Sequence, residues 1–147
     1  MSKILVLYYG RSGNTEKMAN AAANGARSTA KTDVELNYYV PEEQLSDYDA
    51  ILVGTPTCHH DMPGTIKNYS EEAAMKNVSL KSKIAAAFGS YGWSGEAPKL
   101  VLEVLEYRFG MNVTEPPLLA NYTPDQTSLE KCFALGNRVA ESLIPKA

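Results

Sequence analysis

Cysteine is scarce: Cys58 and Cys132 are the only two in 147 residues. They form no CxxC or zinc-ligand spacing, which excludes a disulfide framework and a cysteine-built metal centre, so both are expected as thiols in a reducing compartment. No apolar stretch approaches the roughly 20 residues that a membrane helix needs. The opening segment "MSKILVLYYG" has one Lys before an apolar run that meets Gly10 at once, with no small-residue cleavage site. It therefore reads as a strand rather than a signal peptide, and the expected location is cytoplasmic. No block of one charge sign occurs, and the net charge is only −3, which leaves no electrostatic footprint for nucleic acid. Repeats, low-complexity tracts and linkers are also missing, so residues 1–147 are expected to form a single domain.

What is present is an alternation of apolar runs and helical patterns. "KILVLYY" (Lys3–Tyr9), "YDAILVGT" (Tyr48–Thr55) and "KIAAAFGS" (Lys83–Ser90) are continuous apolar runs. "DVELNYYV" (Asp33–Val40) alternates apolar and polar residues, as a half-exposed strand does. "NVTEPPLLA" (Asn112–Ala120) reads as a fifth, interrupted strand. Helices are expected over Asn14–Ser28, with Met18, Ala19, Ala22 and Ala26 inward, and over Gly64–Met75, with Ile66, Tyr69 and Ala73 inward. A third covers Ala97–Phe109, with Leu100, Val101, Val104, Leu105 and Arg108 at helical spacing. "TPDQ" (Thr123–Gln126) opens the last helix, with Thr123 as the expected N-cap, Pro124 at the first helical position and Gln126 in a capping box. That helix runs to about Leu143, and "PEEQLSDYD" before the third strand is expected to hold a short helical turn.

This order predicts an α/β fold, a doubly wound five-stranded parallel sheet with helices on both faces. Continuous apolar runs belong in central strands buried on two sides. The alternating second strand suits one edge, and Pro116 and Pro117 place the fifth at the other. With right-handed crossovers the order is 2-1-3-4-5. Ligands of such sheets bind beyond the carboxyl ends of the strands, near the switch point. Three loops are expected there: "GRSGNT" (Gly10–Thr15), "TPTCHHDMP" (Thr55–Pro63) and "SYGWSGE" (Ser90–Glu96).

The first loop leads a strand into a helix, so its N–H groups and the helix N-terminus favour an anion. It is neither a Walker loop nor G-x-G-x-x-G, and without a committed lysine it suits a terminal monophosphate. An ordinary helix N-cap with no ligand is the competing reading. The third loop carries Trp93, the only tryptophan. It is either a platform for a planar ring or local packing over a helix start. Together the two loops point to a planar ligand with a phosphate tail. Cys58-His59-His60-Asp61 is not read as a metal site, because consecutive side chains seldom converge on one ion. Cys132 and Arg138 match C-x5-R, a phosphatase-like spacing. Both fall in the last helix, where Leu129, Cys132, Phe133, Gly136, Val139, Ala140 and Leu143 recur at core spacing, so no nucleophile is read there.

Residues Tyr9–Thr15 resemble the phosphate loop of the flavodoxins, and "GSYGW" (Gly89–Trp93) resembles the flavin-binding loop of the short-chain members. "GSYGWSGEAP" and "GTPT" (Gly54–Thr57) also resemble the flavodoxin domain of flavodiiron, or A-type, flavoproteins. The resemblance covers essentially the whole chain and implies FMN as cofactor. It implies that Arg11–Thr15 bind the phosphate through backbone groups and the Ser12, Asn14 and Thr15 side chains. Thr57, Cys58 and His59 are implied on one side of the isoalloxazine and Trp93 on the other, with backbone groups of Ser90–Trp93 at the pyrimidine edge. Gly10, Gly13, Pro56, His60, Tyr91, Gly92 and Gly95 complete the implied set. Two positions depart from the pattern. Gly10 replaces the first hydroxyl residue of the phosphate loop, and His59 stands where many short-chain relatives carry Gly.

The expected function is that of an FMN-binding electron-transfer protein, a monomer that meets redox partner proteins transiently, with no catalytic side chain of its own. Two alternatives share the cofactor. One is a small FMN-dependent NAD(P)H:quinone-type reductase. The other is a free-standing flavodoxin partner of a diiron oxygen or nitric-oxide reductase. A binding module without flavin is disfavoured by Trp93 and the intact Ser12-Gly13-Asn14-Thr15.

Overall fold

In the computed structural model, the described residues are 2–9, 13–29, 31–55, 64–91, 96–114, 117–121 and 124–143. The strands are β1 (Ser2–Tyr8), β2 (Thr32–Asn37), β3 (Ala50–Gly54), β4 (Ile84–Tyr91), β5 (Asn112–Val113) and β6 (Leu118–Asn121). The helices are α1 (Asn14–Arg27), α2 (Gly64–Met75), α3 (Ala97–Phe109) and α4 (Gln126–Ser142), with a 3-10 turn at Glu42–Asp47 where a helical turn was expected. All pairings are parallel and the order is β2-β1-β3-β4-β5, with β6 also on β4. The expected order 2-1-3-4-5 therefore holds.

Strand alternation divides the core in two. Ile4, Val6, Ala50, Leu52, Ala86 and Phe88 face the layer built by α1 and α4. Leu5, Ile51, Val53 and Ala85 face the layer of α2 and α3. Every residue of β3 is buried, as a central parallel strand requires. β2 stays half exposed, as its alternation predicts. Burying one such side chain, Phe88 for example, contributes about 1.5–3 kcal/mol.

The fifth lane of the sheet differs from expectation by holding two short strands. Ile84 and Ala85 pair with Asn112 and Val113, and Phe88–Tyr91 pair with Leu118–Asn121. Ala86 and Ala87 are thus spanned by residues 114–117, a surplus of two residues in this lane. The Pro-Pro pair explains the break, because neither residue has an N–H to give the ladder. The last helix starts later than the TPDQ motif suggests. Its N-cap is Asp125, with extended backbone and a carboxylate that accepts from the Ser128 N–H at 2.8 Å. Asp caps as well as Thr does, and this bond holds the Asp125 carboxyl below its ordinary range, with the Ser128 backbone N–H as the main cause. Two residues read as inward are not. Arg108 and Phe133 are exposed, whereas Leu102, not singled out before, is buried.

On the α1/α4 side the inward residues are as expected: Met18, Ala19, Ala22 and Ala26 are all fully buried. Two glycines let the helices touch. A Cβ on Gly136 would lie 1.9 Å from the Ala22 carbonyl oxygen, and one on Gly25 equally close to that of Phe133. Neither obstacle is a movable side chain. Gly136→Ala is therefore expected to cost about 1–3 kcal/mol or more, measured by urea unfolding. An unchanged midpoint would show that the helices are not seated this closely.

Candidate functional site

The central strands share one register where β1 and β3 end, and β4 runs three residues further, to Tyr91. Tyr8 pairs with Gly54, and Gly54 with Phe88. Past this register the Tyr9 N–H donates to the Gly54 carbonyl at 2.8 Å, and the Thr55 N–H to the Phe88 carbonyl at 3.0 Å. The loops after β1, β3 and β4 thus leave the sheet side by side, on either side of the β1/β3 switch point.

α1 begins within this group. Its N-cap is Gly13, with φ +84°, and no side chain caps the first turn. A left-handed residue turns the chain from the loop into the helix, and nothing lies within 4 Å of a hypothetical Gly13 Cβ. The glycine is needed here for its backbone conformation and not for space. The first helical bond runs from the Lys17 N–H to the Gly13 carbonyl at 3.0 Å. The N–H groups ahead of it have no intrahelical acceptor and carry the positive end of the helix dipole. Asn14 is half-buried and Thr15 is buried to 1% exposure.

Packing fixes that helix end on the sheet. A Cβ on Gly54 would lie 2.5 Å from the Phe88 ring and 3.0 Å from Thr15 Cγ2. One on Gly89 would lie 1.9 Å from the Thr55 carbonyl oxygen. Gly54, Thr55 and Gly89 therefore hold the strand ends together, a role that the motif reading did not assign. Their signal was in the sequence all the same, as the glycines of "GTPT" and "GSYGW". Tyr8 at the end of β1 is kept protonated beyond its ordinary range, first by burial and then by Glu16 and Tyr38 nearby.

Of the sequence-derived site residues, Thr15 packs at Gly54, the end of β3, beside the Phe88 ring, with Gly13 and Asn14 just ahead of it at the start of α1, and the backbone of Ser90 and Tyr91 lies on β4 itself. Gly10, Arg11, Ser12, Pro56, Thr57, Cys58, His59, His60, Gly92, Trp93 and Gly95 lie outside the described residues. Elsewhere, Cys132 is fully buried in α4, where burial pushes its thiol up to about 12. That is the reverse of what a nucleophile needs, and it disposes of the C-x5-R match. Among the described residues no group of three or more His, Cys, Asp or Glu is placed to hold a metal ion, and no helix is long and apolar enough to cross a membrane.

Comparison with known proteins gives the same picture. The flavodoxin family model matches residues 6–136. A flavodoxin from the domain Archaea superposes with a TM-score of 0.87 at 38% identity, covering 95% of this chain and 97% of that one. The type A flavoprotein of Rhodobacter capsulatus is 34% identical over 152 aligned positions, covering 98% of this chain and 34% of the relative. The flavo-diiron protein FprA2 of Clostridium acetobutylicum is 31% identical, covering 95% and 36%. The chain thus spans about a quarter to a third of the length of the curated relatives it matches.

The Gly13 turn gives a direct check. Gly13→Ala is expected to lower stability by about 1 kcal/mol through left-handed strain alone. Gly13→Asn should cost less, because Asn tolerates this conformation. Equal unfolding midpoints for both variants and the parent would contradict the turn.

Proposed function

This chain belongs to the flavodoxin family, and from that premise we propose how its loops hold FMN and carry electrons. The observation that carries the reading is the left-handed Gly13 turn into α1, whose Thr15 packs against Gly54 at the end of β3. A phosphate at this helix N-terminus meets converging N–H groups and the positive end of the dipole. The fit is good, because the N-cap is a glycine with no side chain of its own to cap the turn.

Arg11, Ser12, Gly13, Asn14 and Thr15 take the phosphate, and Gly10 lets the backbone follow it. Thr15, buried against the end of β3, positions the first turn as well. Pro56, Thr57, Cys58, His59 and His60 line one side of the isoalloxazine. Trp93 stacks on the other, with Ser90, Tyr91, Gly92 and Gly95 shaping the loop around the pyrimidine edge. FMN, when bound, supplies the one- and two-electron chemistry. The protein's residues bind it, orient it and set how much water reaches it, and no side chain acts as acid, base or nucleophile.

The electrons come from and go to redox partner proteins. In the longer relatives the matching segment shares its chain with further protein, which supports a protein as the acceptor. Contacts of this kind are small and transient, so the protein works as a monomer. The weak net charge of −3 leaves little long-range steering, and the mature chain works in the cytoplasm.

Titration of the apo-protein with FMN and with riboflavin, read by flavin fluorescence, tests this assignment. Two charge-assisted hydrogen bonds at about 1.5 kcal/mol each correspond to roughly a 100-fold preference for FMN, with quenching from the Trp93 stack. Equal binding of the two flavins would remove the phosphate site, and binding of neither would remove the function.

A further inference from the structure

The layer under α2 is packed differently from the rest of the molecule. Among the described α2 side chains only Ala73 is buried, and Ile66, Tyr69 and Ser70 are half-buried. Polar tethers add to the packing of Ala73, Ile66 and Tyr69 on the core. The Tyr69 hydroxyl donates to the Val40 carbonyl. Lys76, just past the helix end, pairs with Glu43 at 2.6 Å and Glu42 at 3.3 Å on the 3-10 turn. Beneath the helix lies an elongated cleft of about 80 Å³. It runs from Tyr9 and Gly54 at the strand ends down to Leu80 and Phe109.

The lining of this cleft has a definite chemistry. Its floor is Ile51 and Val53, and no charged side chain lines it among the described residues. Four tyrosines besides Tyr69 contribute to its walls: Tyr8, Tyr9, Tyr38 and Tyr39. Tyr38 and Tyr39 are 75% and 52% exposed and mark the mouth. The Tyr39 and Tyr69 rings stand edge to face, with centroids 5.9 Å apart at 79°, so the mouth already displays the geometry in which one aromatic ring receives another.

We propose that the cleft between α2 and the sheet is a binding site for an uncharged, single-ring aromatic molecule, separate from the flavin loops. Size and polarity support it. An apolar cavity of about 150 Å³ takes up benzene. This cleft encloses less but is open on one side, so a ring enters edge-first and keeps a polar substituent among the tyrosine hydroxyls. A charged ligand would lose its hydration with nothing to pair against. Ala73 in the core, with Ile66 and Tyr69 packed against it, fixes the helix side of the cleft. The upper end of the cleft touches Tyr9 and Gly54, where the loops after β1 and β3 begin, so an occupant there lies against the base of the flavin site.

The test uses the FMN-loaded protein and p-cresol, followed through the methyl resonances of Ile51, Val53 and Leu80. The shifts are expected to saturate with one-site behaviour. Ser70→Phe fills the cleft from a half-exposed position that folding tolerates, and it should weaken binding at least ten-fold while FMN absorbance stays unchanged. Ala73→Leu is a second filling variant with the same expectation. n-Hexanol, apolar but without a ring face, should bind several-fold more weakly than p-cresol. Shifts that grow without saturating, or equal affinity in parent and filled variants, would overturn the site. Equal affinity for n-hexanol would overturn its preference for a ring. Retained FMN absorbance in every arm keeps the cleft and the flavin assignment separable.

Discussion

The first turn of α1 is seated on the end of β3 beside the Phe88 ring of β4, and the rest of the architecture follows from that seat. Gly54 has no side chain because Thr15 and the Phe88 ring occupy the space one would need. Gly89 has none because the Thr55 carbonyl is there. These contacts bring a helix N-terminus to the end of β3, beside Phe88 of β4. Parallel pairing sets that height, since Tyr8, Gly54 and Phe88 share one register line. Burial of both faces of β1, β3 and β4 sets the pairing. N–H groups without helical acceptors are then held here as a consequence of packing, and the proposed phosphate site uses them.

The two faces of the sheet answer different needs. On one, α1 and α4 meet at Gly25 and Gly136 with backbone against backbone, which leaves the phosphate end of α1 little freedom. On the other, α2 hangs from Tyr69 and Lys76 over an apolar cleft. The two layers are thus joined to the sheet in different ways, one backbone against backbone and the other through a buried Ala73, a tyrosine hydroxyl and ion pairs. Close packing of the first kind resists a change of even one methylene.

Much of this was legible in the sequence. Continuous runs in three strands, alternation in the second and the Pro-Pro pair in the fifth were enough, with right-handed crossovers, to order the sheet, because burial on two faces and on one leave different patterns. The bounds of α2 and α3 agree with their periodicity. The start of α4 was misread because Thr123 and Asp125 both carry capping oxygens, and only the extended backbone at Asp125 decides between them. Arg108 and Phe133 recur at the right spacing yet sit at the rim of their helix faces, a distinction that periodicity cannot draw. The two-residue surplus in the fifth lane needs the register of β4 to be seen at all. At the candidate site, the glycines of GTPT and GSYGW stood in the motifs, but their role in the close approach was not legible, because it depends on what lies across the sheet.

Phosphorus NMR of the FMN-loaded protein tests the central claim most directly. The second ionisation of a free phosphate monoester falls near about pH 6. A phosphate held by the N–H groups at the start of α1 is stabilised as the dianion, so its pKa falls well below that range. The account predicts a single phosphate resonance that does not move between about pH 5 and pH 8. A resonance that titrates near pH 6, as in free FMN, would place the phosphate in solvent and contradict the anchoring role of the Gly13 turn.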